Sequence, residues 1–175
     1  MKSTRAFKFL LFCLLISISH YSLAHMMVAQ HGTLNVVDNG VFMVLSLPVS
    51  GFDGTDDDKD GRLSKAEFDI HRLSIALTVK EKIGLLDKNG KLELKGLILS
   101  LATSHESPKD PVTQLIVMGK FMLNDLNAPL HYQVDIYGKK RVEQTLDITV
   151  KDKSKGLKQE FTLTPDGIVA ELFTG

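Results

Sequence analysis

From about residue 31 onward the chain is cut by turn signals into short segments in which apolar and polar residues alternate, a period of two that suits strands with one buried face. Thr33 to Val37 and Val41 to Val49 flank Asp38-Asn39-Gly40, a hairpin signal because Asn and Gly tolerate positive φ. Met43, Leu45, Leu47 and Val49 fall on one face of the second segment. A segment near Val79 to Leu86, a turn at Lys88-Asn89-Gly90-Lys91 and a segment from Leu92 to Leu99 predict a second hairpin. Thr103 to Pro111, with two prolines, reads as an exposed loop. Alternation resumes at Leu115, Val117, Phe121 and Leu123, at Leu130 to Ile136, at Val142 to Val150 and at Leu157 to Leu163. Thr164-Pro165-Asp166-Gly167 then turns the chain into a last strand, Ile168 to Phe173. Eight or nine strands with one apolar face each need a second sheet to cover them, so the expected fold is mainly β, a β-sandwich with one inserted helix.

That helix is predicted over Ser64 to about Leu77, where Ala66, Ile70, Leu73 and Leu77 are spaced as one helical stripe. His71 lies off the stripe and is expected to be solvated.

Residues 1–24 have the three parts of a secretory signal. Lys2, Arg5 and Lys8 open it, Phe9 to Ile18 is apolar but too short to span a bilayer, and Ser22-Leu23-Ala24 offers small residues before a cut. Cleavage after Ala24 leaves 175 − 24 = 151 residues, enough for one domain over 25–175. The only cysteine, Cys13, leaves with the signal, so the exported chain must rely on a hydrophobic core. The signal holds three of the 21 basic residues and none of the 21 acidic ones, which makes the remaining formal charge −3 and argues against a nucleic-acid partner. No later apolar run has membrane-spanning length, and the expected location is periplasmic or secreted, without a membrane anchor.

The densest chemistry is Asp56-Asp-Asp-Lys-Asp-Gly-Arg-Leu-Ser-Lys-Ala-Glu67. Asp56, Asp58 and Asp60 stand at alternate positions, each able to give a carboxylate oxygen. Gly61 permits a sharp bend, Arg62 can turn a main-chain carbonyl inward, Ser64 can act directly or through water, and Glu67 can give two oxygens. Calcium, a hard cation taking six to eight oxygens, wants this arrangement. A helix cap made by Ser64 and Glu67 would explain the end of the stretch but not the alternating acids before it. Residues 56 to 68, including aromatic Phe68, resemble the EF-hand family, which implies calcium binding. Two departures are visible. Leu47 to Gly54 is strand and turn material where an entering helix is usual, and Asp87-Lys88-Asn89-Gly90 is at most a fragment of a second loop. A lone loop suits a structural clip, not a switch that opens a groove. More loosely, a signal followed by a strand pair, a helix and further strands resembles small exported bacterial EF-hand proteins, and the periplasmic portion of hydrogenase/urease accessory proteins of the nickel/cobalt permease type.

A rival reading starts at the new N-terminus. An amine and imidazole at His25, with Met26 and Met27 and help from His31, His105 or His131, could carry copper or another transition metal. No nucleophile motif or phosphate-cradling loop is present, so a non-enzymatic calcium-binding or accessory protein with an extracytoplasmic protein partner is the expectation.

Overall fold

The computed structural model describes residues 28–103, 109–125 and 128–173. The predicted signal at 1–24 and the candidate copper ligands His25, Met26, Met27 and His105 lie outside them. In chain order the elements are β1 (His31–Val37), β2 (Gly40–Pro48), α1 (Lys65–Lys82), β3 (Ile83–Asp87), β4 (Gly90–Lys91) and β5 (Leu94–Leu101). There follow β6 (Gln114–Met122), β7 (Leu130–Val134), β8 (Leu146–Asp152), β9 (Leu157–Leu163) and β10 (Val169–Leu172).

These strands form two sheets, one of six in the order β5-β6-β2-β1-β8-β9 and one of four in the order β10-β7-β3-β4. β1 runs parallel to β8 and antiparallel to β2. The alternation read from the sequence fixes which residues turn inward. Leu34, Leu45, Val117 and Ile148 of the larger sheet and Leu85, Tyr132 and Val134 of the smaller one belong to a single buried cluster. Tyr132, fully enclosed, donates its hydroxyl to the Met43 sulfur at 3.1 Å across the two sheets, which answers the need of a buried O–H for a partner. The fold is a β-sandwich with one α-helix among the described residues. Among the described residues no helix is long and apolar enough to cross a membrane.

The first hairpin has the predicted turn, but the positive φ falls on Asp38 at 52° rather than on Asn39 or Gly40. The second predicted hairpin is mostly absent. β3 pairs with only the two residues of β4, after which the chain crosses to the larger sheet, where β5 pairs with β6. Val142, expected in a strand, sits in a 3-10 turn at Arg141–Glu143 and is 76% exposed.

The helix differs most from expectation. It runs to Lys82, so Val79 is helical, and its apolar stripe faces the other way. Ile70, Leu73 and Leu77 are 70%, 73% and 59% exposed, while Phe68, Ile75 and Val79 are buried. Both sets have helical spacing, and residues two apart sit about 200° apart around the axis, so burying one set exposes the other. The segment before the helix decides between them. Leu63 is completely buried and its main chain makes a two-way bridge with Val112, N to O at 2.8 and 3.0 Å, on the segment leading into β6. With Leu63 anchored there and Ser64 capping the first turn, rotation is set so that Phe68 follows Leu63 into the core.

Candidate metal centre

After β2, a short turn at Val49–Gly51 and buried Phe52 lead into residues 56–67, and Thr55 closes the entry by donating its hydroxyl to the Phe52 carbonyl at 2.9 Å. The loop then folds around its own carboxylates. Asp60 N donates to Asp56 Oδ1 at 3.2 Å and to Asp58 Oδ1 at 3.1 Å, and Gly61 N donates to Asp56 Oδ2 at 2.9 Å. Arg62 N donates to Asp60 Oδ1 at 2.7 Å. Amides from residues 60 to 62 thus point into the turn and hold three acids on its concave side. Such a bend needs left-handed backbone, and it is found at Gly61, with φ 79°, and at Lys59, with φ 61°. Glycine adopts this conformation freely; lysine does so at a cost.

Asp56, Asp58 and Asp60 converge, each placing a carboxylate oxygen within 4.8 Å of those of the other two. Gathering like charges disfavours ionisation. For Asp58 the Asp60 amide acts in the opposite direction, yet desolvation and the charges of Asp60 and Glu67 outweigh it, and its pKa is raised above the ordinary value. Asp58 would therefore gain from a nearby cation.

Glu67 is buried behind the loop, not clustered with the three aspartates. Its Oε1 accepts from Asp57 N at 2.8 Å, and its Oε2 accepts from Ser64 N at 2.8 Å and Ser64 Oγ at 2.7 Å. The Ser64 hydroxyl and amide, with the amides of Asp57 and Asp58, pull its pKa down to about 2. Ser64 and Glu67 form the capping box predicted from their spacing. Glu67 consequently ties the first residues of the loop to the first turn of α1.

A second tie was not foreseen. His71, expected to be solvated, is half-buried, and its Nε2 lies 2.9 Å from both carboxylate oxygens of Asp57. The Leu63–Val112 bridge was also illegible, since nothing local in Pro111-Val112-Thr113 announces a partner for a loop some fifty residues earlier. The turn at Asp87 to Gly90 connects β3 to β4, with Asn89 N donating to Asp87 Oδ1 at 2.7 Å. His31 and His131, the described members of the proposed copper set, are in different sheets.

No protein-family model matches the chain, and no curated protein matches it significantly.

Proposed function

We propose that residues 56–67 bind one calcium ion, and that the ion acts as a structural clip in a non-enzymatic periplasmic or secreted protein serving another extracytoplasmic component. The observation that carries this is the convergence of the Asp56, Asp58 and Asp60 carboxylates on the concave side of a turn already folded by its own amides. An all-oxygen donor set favours a hard cation over copper or zinc, and calcium tolerates the irregular geometry of a flexible loop better than magnesium does. Asp56, Asp58 and Asp60 each give one oxygen, Arg62 gives its main-chain carbonyl, Ser64 acts directly or through water, and Glu67 gives both oxygens. Each Glu67 oxygen already accepts two bonds, Oε1 from the Asp57 and Asp58 amides and Oε2 from the Ser64 amide and hydroxyl, so bidentate binding would displace some of these bonds.

The clip reading follows from what the loop joins. One end continues from β2, Leu63 is bridged to the segment entering β6, and Glu67 starts the helix. An ion that fixes the loop fixes the angle between the larger sheet and α1. An affinity of roughly 10⁻⁴ to 10⁻³ M would suffice where calcium is plentiful, as in extracellular modules. Calorimetric titration of the metal-stripped protein tests this. One ion bound, with a rise in melting temperature that disappears in Asp56→Ala, is expected. Absence of binding at millimolar calcium would reduce the loop to a self-bonded acidic turn.

A further inference from the structure

Beside the calcium loop the chain forms a cavity of about 510 Å³, within the size range of small-molecule sites. Its floor is apolar, made by Val49 and Phe52, which are 3% and 4% exposed. Its rim is basic: Lys59 and Arg62 come from the calcium loop, and Lys139 and Lys140 from the segment after β7. Asp56 is the one carboxylate among the residues lining it. Lys139 Nζ is 2.9 Å from Asp53 and Lys140 Nζ is 3.8 Å from Glu143. Lys59 and Arg62 make no ion pair among the described residues.

The wall opposite the loop is built to hold its shape. Ser50 Oγ donates to Glu143 Oε2 at 2.6 Å and accepts from Lys139 N at 3.1 Å. Gly138 lies so close behind these groups that a Cβ there would collide with the Glu143 carboxylate. The basic rim therefore stands on a braced segment, so little ordering is left to be done when a ligand arrives. Lys139 and Lys140 are each offset by a carboxylate, whereas Lys59 and Arg62 are not, so an anionic head group would answer two cations that have no ion-pair partner among the described residues, while its body covers Val49 and Phe52.

We propose that this cavity binds a small organic anion, a carboxylate or phosphate head on an apolar body, and that calcium in the neighbouring loop strengthens the binding. The second half rests on the calcium reading. Asp56, Gly61 and Arg62 belong to both places, so an ion that neutralises Asp56 and fixes the backbone at 61–62 removes the one lining negative charge and holds Arg62 in position. By linkage the anion tightens calcium by the same factor.

The test is an amide chemical-shift titration of the purified protein with hexanoate, hexyl phosphate and neutral hexanol, each in chelator and in calcium. Hexanoate or hexyl phosphate is expected to shift the amides of Gly54, Gly61 and Lys140, and whichever of the two binds tighter identifies the head group; hexanol should bind at least tenfold more weakly than either. Calcium should tighten the anion several-fold. Arg62→Gln combined with Lys140→Gln keeps the side-chain stems and the Arg62 carbonyl, and should weaken the anion about tenfold or more by removing charged donors. Lys139→Gln combined with Lys140→Gln, which touches no proposed calcium ligand, should also weaken the anion, while calcium titrated without anion binds as in the parent. Anions that leave the cavity amides unmoved, hexanol that binds as well as hexanoate, or a double variant that binds like the parent would each overturn the anion site. If calcium fails to bind, the titration in chelator still decides the anion site by itself; if calcium binds and the anion affinity ignores it, the coupling is refuted.

Discussion

Glu67→Gln separates two duties that the structure assigns or allows to one side chain. Without metal, Glu67 holds the amides of Asp57 and Ser64 on different oxygens. Glutamine has a single acceptor oxygen, so it can keep one of these bonds and must lose the other. One hydrogen bond to a charged group costs about 1.5–3 kcal/mol, and removing the negative charge from the first helical turn adds about 0.3–1 kcal/mol. The expected loss in chelator is thus roughly 2–4 kcal/mol, or about 4–16 °C in melting temperature for a domain of this size. Calcium then adds a second difference. With a dissociation constant of about 10⁻⁴ M, about 10 mM calcium stabilises the parent by roughly 2.7 kcal/mol through linkage, and the variant, lacking a bidentate ligand, should gain almost nothing. The gap between the two proteins should therefore nearly double between chelator and calcium, as read by thermal unfolding followed by circular dichroism. Ser64→Ala weakens the cap but leaves every carboxylate in place, so calcium should still stabilise it, unlike Glu67→Gln. A gap of equal size in both buffers would mean that Glu67 only caps the helix, and the proposed ligand set would be wrong.

Acid should act through the same residue. The Glu67 pKa, about 2 against an ordinary 4.5, contributes stability that is present above about pH 4.5 and is lost as pH falls toward 2. Unfolding in urea and chelator should show this decline in the parent and a smaller one in Glu67→Gln, and equal slopes would refute it. Lys59→Gly should relieve the left-handed backbone at loop position 4 and raise stability in chelator by up to about 1 kcal/mol, the difference between the strain relieved and glycine's entropy; a loss would show that the lysine side chain earns its place there. Ile75→Ala should destabilise by about 2–5 kcal/mol, whereas Leu73→Ala should stay within about 0.5 kcal/mol. The reverse order in denaturant titrations would restore the helix face read from the sequence.

The sandwich was legible because most strands pack one face inward, which leaves a period of two in the sequence. The acidic turn was legible because the bonds that fold residues 56–62 run between residues at most five apart, as between Asp56 and Gly61. Failures came where the deciding contact was distant. The helix carries two competing stripes, and only the anchoring of Leu63 on Val112 selects Phe68, Ile75 and Val79. β4 was misread because Leu92 and Leu94 are apolar whichever sheet they enter, and the departure to β6 follows no local signal. The cavity cations were invisible for the same reason, since Lys59 and Lys140 become neighbours only after β7 has packed beside β3.

The Leu63–Val112 bridge also has a consequence in polymer terms. It closes an excursion of chain that contains the whole helix and three strands, and the acidic loop forms one foot of that closure. A disulfide would hold the ends of so long an excursion together in the unfolded chain as well, whereas the bridge forms only on folding, which must itself meet the closure cost. The sequence has a single cysteine and so no disulfide of its own to do this. An ion in residues 56–67 would not span the excursion, but by fixing its twelve-residue foot it would hold Leu63 ready for Val112, in a way insensitive to reductant and undone by chelation.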